Sequence, residues 1–260
     1  MRIIISSLVI VFSLHSCKEI PITPLNITKS LTLIGEKQVT NNSFGYSITK
    51  DSLLIMITYG DADEKFIHVY DTAFNFKFSV SDKGKLFSEF NMPQFFNTNF
   101  IDSTFVGKSI DMNYGSFFIY NSTRKKKIIV AYRYFDLIQL YDDEGKLLQE
   151  CCFSKIQKPL LSTIASGMAP EASFYNLSTC GTNKYCYILR ANKTGIQLQN
   201  QPQKLSGQLI VMDWSGNIKN IYPCPELLYS ICVDANDTYL FATIDNYNDL
   251  EYSFIRKYKL

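Results

Sequence analysis

A short apolar segment ending in aspartate occurs three times along the chain, and this repeat restricts the fold more than any other feature. The copies are Phe66–Asp71, Leu137–Asp142 and Gln208–Asp213, and each is followed by a polar turn and a second short apolar stretch. This pattern is typical of a β-hairpin. An Asp before such a turn accepts hydrogen bonds from backbone N–H groups two residues on. We therefore predict that the three aspartates shape turns and are not catalytic.

Each copy is preceded by a further strand-like segment, so that four short strands recur. These preceding segments are Ser52–Tyr59, Ile128–Tyr134 and Tyr185–Arg190. An aromatic content of 14% with only 12 glycines also favours strands. Repeated groups of four antiparallel strands indicate a β-propeller, in which each blade buries both faces against its neighbours. At about 40–45 residues per blade, residues 31–260 are predicted to form five to six blades, with a β-sandwich as the alternative.

The repeat also predicts where the blades begin and end. The predicted units are 45–80, a degenerate unit at 86–115, 116–151, 172–223 and 224–260. The last unit ends on its third strand, so Leu31–Gly35 is expected to supply the missing fourth strand. Lys155–Glu171, which contains two prolines, is expected to be a long loop.

The first 16 residues have the pattern of an export signal. Arg2 is followed by an apolar run, Ile3–Leu14, which is shorter than the roughly 20 residues of a membrane-spanning helix but typical of a signal-peptide core. The residues before Cys17 resemble a bacterial lipobox, which predicts lipidation of Cys17 and a tether over residues 17–30. An ordinary secretory signal is the alternative. The expected location is the cell envelope, as an outer-membrane lipoprotein on the periplasmic face or the cell surface, attached to the membrane by its lipid.

Seven cysteines are present, and lipidation of Cys17 would leave six. An even number in an oxidising compartment permits disulfides. We favour one pair, Cys180 with Cys186, because the five intervening residues include Gly181 and can close a hairpin. Free buried thiols are the alternative.

Several classes of chemistry find no support in the sequence. Outside the leader the only histidine is His68, which aligns with Gln139 and Ile210 in the other repeats and therefore fits a packing position better than a general base. The closest glycines are eight residues apart, which excludes the common nucleotide-binding loops. The acidic clusters lack a calcium-loop pattern. We therefore predict no catalytic residue, no metal and no cofactor, and the net charge of +2 predicts no nucleic-acid partner.

Three segments of the chain carry a resemblance to a known family. Tyr132–Lys146, Met212–Asn217 and Tyr229–Asp234 resemble the TolB-like six-bladed β-propeller lipoproteins of Bacteroidetes. The resemblance extends over most of the chain from about Leu31, and Asp82–Phe90 departs from the pattern of these relatives. It implies a propeller fold and an envelope location, and it supplies no activity, because a shared fold does not define a function.

The candidate ligand-binding residues are Tyr132, Arg133, Tyr134 and Asp136, which form the most polar and aromatic strand junction in the chain. Tyr and Arg can stack on a sugar or clamp a carboxylate. The resulting hypothesis is a lipid-anchored, non-enzymatic binding or interaction module for an envelope protein or glycan. One alternative is a carboxylate-dependent hydrolase or lyase that uses Asp136, and another is a structural subunit of an envelope complex.

Overall fold

The computed structural model describes residues 30–40, 47–50, 53–57, 67–80, 117–121, 127–142, 144–160, 162, 164, 171–245 and 252–260. The predicted signal peptide, the lipidation site Cys17 and most of the tether lie outside the described residues, as does the predicted unit at 86–115. Within the described residues the chain is mostly β-structure, with a short helix, α1 (Gly195–Asn200), a 3₁₀ turn at Pro202–Lys204, and helical backbone at residues 162 and 164. The predicted all-β class is confirmed.

The strands form four antiparallel sheets of four strands each. Sheet I contains β2 (Ser47–Lys50), β3 (Leu53–Ile57), β4 (Ile67–Asp71) and β5 (Phe76–Val80). Sheet II contains β6 (Phe117–Asn121), β7 (Lys127–Ala131), β8 (Ile138–Tyr141) and β9 (Leu147–Cys151). Sheet III contains β10 (Ser173–Gly181), β11 (Tyr185–Thr194), β12 (Gln208–Asp213) and β13 (Ile218–Pro223). Sheet IV contains β14 (Ser230–Val233), β15 (Tyr239–Asp245), β16 (Tyr252–Lys259) and β1 (Thr32–Thr40).

Sheet IV joins the two ends of the described chain. β1 pairs antiparallel with β16, from Thr32 opposite Lys259 to Thr40 opposite Tyr252. The predicted pairing of residues 31–35 with the last unit is thus confirmed, over a longer strand. Leu31 and Val39 are buried near the two ends of β1, whereas most of the residues between them are exposed.

The turns after the repeated strands have the predicted construction. Oδ1 of Asp71, Asp142 and Asp213 accepts hydrogen bonds from the backbone N–H groups two and four residues on, at 2.8–3.1 Å. The third residue after each Asp is left-handed: Phe74 at φ 66°, Gly145 at 82° and Gly216 at 87°. Glycine adopts this conformation without steric cost, which explains its presence in two of the copies. Structural aspartates at these turns are confirmed.

A fourth copy of the turn connects β14 and β15. Oδ1 of Asp234 accepts from the backbone N–H groups of Thr238 and Tyr239, and Asp237 is the left-handed residue, at φ 58°. The sequence predicts a turn at Asp234–Asp237 but does not include it in the repeat, because this turn lies after the first strand of its sheet, whereas the other three lie before the last strand.

Asp213 should make the stability of the protein depend on pH. Burial opposes ionisation of this carboxyl, but hydrogen bonds from Lys219, Asn217 and Ser215 outweigh burial and hold its pKa well below the usual range. A carboxyl whose pKa is lowered on folding stabilises the protein above its unfolded pKa, near 4, and loses that effect as the pH falls. We expect Asp213→Ala to cost about 1 kcal/mol at pH 7. In urea titrations the difference in free energy of unfolding between the wild type and Asp213→Ala should decrease steadily below about pH 4. A difference that does not depend on pH would contradict this role.

Neighbouring sheets share hydrophobic cores in chain order. One cluster joins sheets II and III through residues such as Ile129 and Ile188, and another joins sheets III and IV through residues such as Leu209 and Leu240. A third joins sheets IV and I through Phe241 and Tyr70. The first strands of the sheets follow the same order, because β10 contacts both β6 and β14, and β14 contacts β2.

Each of these sheet junctions also has polar contacts at its turns, which link a turn of one sheet to side chains of the sheet before it. The contacts are Lys127 Nζ to the Trp214 carbonyl at 2.7 Å, Thr182 Oγ1 and Tyr187 OH to Asp237 Oδ1 at 2.6 and 2.8 Å, and Lys257 Nζ to the Thr72 carbonyl at 2.8 Å. Sheets II and III, III and IV, and IV and I are therefore joined in the same way: the turn belongs to the second sheet of each pair, and the side chain that contacts it belongs to the first.

The predicted Cys180–Cys186 disulfide is not formed, and both thiols are free. Cys180 lies opposite Tyr187, and Cys186 lies opposite Gly181. Because alternate residues of a strand point to opposite faces, the two thiols enter different cores, Cys180 beside the core between sheets III and IV and Cys186 in the core between sheets II and III. Burial raises the pKa of both thiols, so neither is activated as a thiolate.

Candidate functional site

The four candidate residues lie in the loop between β7 and β8. The strand predicted to reach Tyr134 ends at Ala131, because the Tyr132 N–H donates to the Leu137 carbonyl at 3.1 Å and closes a tight loop. Inside this loop the rings of Tyr132 and Phe135 stack at 4.4 Å between centroids. The loop is thus a rigid structure with its own packed core.

Asp136 is buried in a hydrogen-bonded ion pair. Its side chain is 1% exposed and lies 2.9 Å from Nη2 of Arg190 on β11, whose Nε also donates to it at 3.3 Å. Ser154 Oγ donates to the same carboxylate at 2.6 Å. The two-pronged geometry is the strong form of a guanidinium–carboxylate pair. Asp136 therefore fastens the loop of sheet II to sheet III and presents no oxygen at the surface.

Tyr132 has a comparable structural position. It is 3% exposed, and its hydroxyl donates to Gln139 Oε1 at 2.9 Å. Two of the four candidate residues therefore lie in the interior, where they support the loop.

Arg133 and Tyr134 are half-buried and lie against the first strand of sheet III. The Arg133 carbonyl accepts the Tyr175 N–H at 2.7 Å, which fixes the backbone of the loop on β10. The ring of Tyr134 lies 5.1 Å from that of Phe174, at an interplanar angle of 57°. The loop thus forms an aromatic pair with β10, and Arg133, whose Nε is buried, precedes Tyr134 in the same loop.

A β-bulge beside Phe174 adds a lysine to this group. Phe174 lies opposite Lys193, the next aligned pair is Asn176 with Arg190, and Asn192 within the bulge is left-handed at φ 51°. Directly opposed residues project on the same face, so Lys193 lies on the same face of the strand pair as Phe174. Bulges are common next to functional sites because they redirect side chains. We call Arg133, Tyr134, Phe174 and Lys193 the basic aromatic patch.

Asn176, two residues after Phe174 on β10, is fully buried. Its Nδ2 donates to the Tyr132 carbonyl at 2.7 Å, while its Oδ1 accepts no hydrogen bond within the described part of the chain. Buried acceptors are nearly always satisfied, and an internal water molecule is a suitable donor for an oxygen that has no access to the surface.

The sequence did not reveal Phe174, Lys193, Arg190 or Ser154. A weak signal existed for Arg190, which is the one charged residue in the apolar run Tyr185–Ala191. A charge within a buried strand requires a partner. Phe174 and Lys193 carried no such signal, because their proximity depends on the bulge.

The patch is chemically suited to binding. Aromatic faces stack on sugar rings or apolar groups, and guanidinium and ammonium groups donate charge-assisted hydrogen bonds.

Among the described residues, no group of three or more His, Cys, Asp or Glu side chains is arranged to hold a metal ion. A search of the same residues found no helix with the length and apolar character needed to span a membrane.

Comparisons with known proteins provide little further information. No protein-family model matches the chain, and no curated protein matches it. One solved structure, described as a crystal structure of the eukaryotic initiation factor, is similar at 11% identity and a TM-score of 0.23. That alignment covers 78% of this chain and 60% of the other. A score this low does not indicate a common fold.

Proposed function

We propose that the four sheets are blades of a β-propeller and that the protein is a non-enzymatic binding module. The regular arrangement of the described sheets supports this fold. Neighbouring sheets share a core, their first strands contact one another in chain order, and turns are held by side chains of the preceding sheet. A propeller limits exposed edges by such repetition. The repeat length gives five to six blades as the expected number.

The proposed location is the cell envelope, with the protein held by a lipid on Cys17. The tether, residues 17–30, leads almost directly into β1, which begins at Thr32. The anchor would therefore be attached through the strand that completes sheet IV. Membership of the TolB-like lipoproteins of Bacteroidetes is part of the same proposal and rests on the sequence resemblance.

The observation that supports the binding function is that residues of one loop differ in accessibility. Asp136 is buried in the ion pair with Arg190, whereas Arg133 and Tyr134 are only half-buried and lie against β10. A general acid or base must reach the substrate proton, and a fully buried, paired carboxylate does not. The geometry therefore favours binding of an envelope glycan or protein over a hydrolase centred on Asp136.

A thermal-shift screen of residues 18–260 against glycans and soluble envelope proteins tests this proposal. A ligand at a hundred times its Kd should raise the Tm by about 5–10 °C. We expect Tyr134→Ala and Phe174→Ala to abolish the shift, because each removes one ring of the pair. Phe76→Ala, which removes an exposed ring on β5, is the matched control and should retain it.

One result would count against the site and another against the function. A shift that survives both aromatic substitutions would place the ligand away from the basic aromatic patch. Turnover of the bound molecule that disappears in Asp136→Asn, while the variant still melts cooperatively, would favour the hydrolase or lyase.

A further inference from the structure

We infer that the ligand of the basic aromatic patch is an anionic glycan, a sugar chain that carries carboxylates. This inference rests on the proposed binding function and narrows it to one chemical class. It depends on the distribution of charge, the position of Lys193 and the aromatic pair.

Positive charge is concentrated at the end of sheets II and III where the patch lies. The connections at this end, residues 132–137, 152–172, 195–207 and 224–229, together with the end of β11 at Lys193, contain five basic residues, Arg133, Lys155, Lys158, Lys193 and Lys204. They contain three acidic residues, of which Asp136 and Glu226 are paired with arginines and Glu171 is exposed. The turn aspartates lie at the opposite end of the sheets, since successive connections of a meander alternate between ends. The whole chain has a charge of only +2, so this end attracts anions selectively.

Lys193 has the clearest geometry for contacting an anion. It lies directly opposite Phe174 in the strand register, next to the bulge at Asn192. Among the described residues, no carboxylate pairs with it. By contrast, Lys77 and Lys219 on the outer strands of sheets I and III are paired with turn aspartates at 2.9 and 2.8 Å. Lys193 therefore retains its ammonium for an external carboxylate.

The aromatic pair favours a sugar as the carrier of that carboxylate. The rings of Tyr134 and Phe174 are only half-buried and are tilted by 57° to each other. Aromatic rings of this kind stack on the C–H face of a pyranose ring.

The small size of the patch also favours a glycan over a folded protein. It consists of four residues and lies on one loop and one bulge, whereas a stable protein interface uses about 20–30 residues on each side. A chain of a few sugar units can reach Lys193 and Arg133 at once without covering the surrounding loops.

Isothermal titration of the soluble chain, residues 18–260, with tetragalacturonic acid tests the inference. Its fully methyl-esterified form is the matched neutral ligand, because it keeps the rings and hydroxyls and lacks the charges. We expect the acid to bind at least about tenfold more tightly than the ester, and raised salt to weaken only the acid. Lys193→Gln should weaken the acid about three- to tenfold and leave the ester unchanged. Lys184→Gln, at an exposed lysine on the opposite end, is the control and should bind as the wild type.

The possible failures are distinguishable. Equal binding of acid and ester would overturn the anionic class while leaving the binding function intact. Binding of the acid that is equally sensitive to Lys184→Gln and Lys193→Gln would show general charge attraction and overturn the site. No binding of either ligand would overturn the inference, and the thermal-shift screen would then decide separately whether the proposed function holds.

Discussion

Replacing Arg190 by methionine should lower the free energy of unfolding by about 3–5 kcal/mol. The substitution leaves Asp136, which is 1% exposed, with a single hydroxyl donor, Ser154, in place of a two-pronged guanidinium. A buried carboxylate that loses its counter-ion retains the full cost of desolvation. Urea denaturation followed by tryptophan fluorescence should report this loss directly, because Trp214, the one tryptophan of the chain, lies in the core between sheets II and III.

Two comparisons separate the buried pair from a general loss of charge. The double variant Asp136→Asn/Arg190→Met should be less destabilised than the sum of the single variants, because it leaves no unpaired charge. Arg256 pairs with Glu36 and Glu226 near the surface, and Arg256→Met should cost only about 1 kcal/mol. Equal losses at Arg190 and Arg256 would show that burial does not set the strength of the Arg190 pair.

Local rules explain why the sequence predicted the turns well. The carboxylate of Asp213 bonds to N–H groups two and four residues away, so every partner lies within one short segment. The four strands of sheets I, II and III are likewise neighbours in the chain, and the boundaries of these sheets could be predicted to within a few residues. Periodicity and turn chemistry are sufficient for such elements.

Contacts between sheets could not be predicted in this way. The Asp136–Arg190 pair joins residues 54 positions apart, and nothing in the spacing identifies Arg190 as the partner. The residues from Tyr132 to Tyr134 are rich in aromatic side chains and fit a strand as well as they fit a loop. The position where β7 ends therefore depends on tertiary packing. The prediction of a Cys180–Cys186 disulfide was wrong because Cys186 lies opposite Gly181 and not opposite Cys180. A shift of one residue in register moves a side chain to the other face of the sheet.

The basic aromatic patch shows the same limit at the level of function. Arg133 and Tyr134 could be selected from the sequence because they adjoin each other in an unusual polar and aromatic stretch. Phe174 and Lys193 could not, because the bulge at Asn192 decides which residue of β11 stands opposite Phe174. Half of the patch is therefore set by local composition and half by an irregularity of one strand pair.

Removal of β1 should have the second large effect. Deleting residues 1–40 exposes the edge of β16, removes a pairing that extends from Thr32 to Thr40, and takes Val39 out of its core with Phe241. It also removes the bond from Lys37 Nζ to the Phe74 carbonyl, which helps to hold sheet IV on sheet I. With backbone hydrogen bonds worth about 1 kcal/mol each, we expect the shortened chain to lose about 4–8 kcal/mol and to melt in a broad transition.

A synthetic peptide of Thr32–Thr40 tests whether this loss reflects the missing strand. Added in excess to the shortened chain, the peptide should restore a cooperative transition, because a ligand that binds only the native state stabilises it by mass action. The same peptide with Val39→Asp places a charge in the core beside Phe241 and should fail to do so. If the shortened chain were as stable as the full one, or if both peptides restored it equally, β1 would not close the structure.

Closure through β1 would also make the proposed anchor mechanically significant, because any pull on Cys17 would then act on the strand that joins the two ends of the chain.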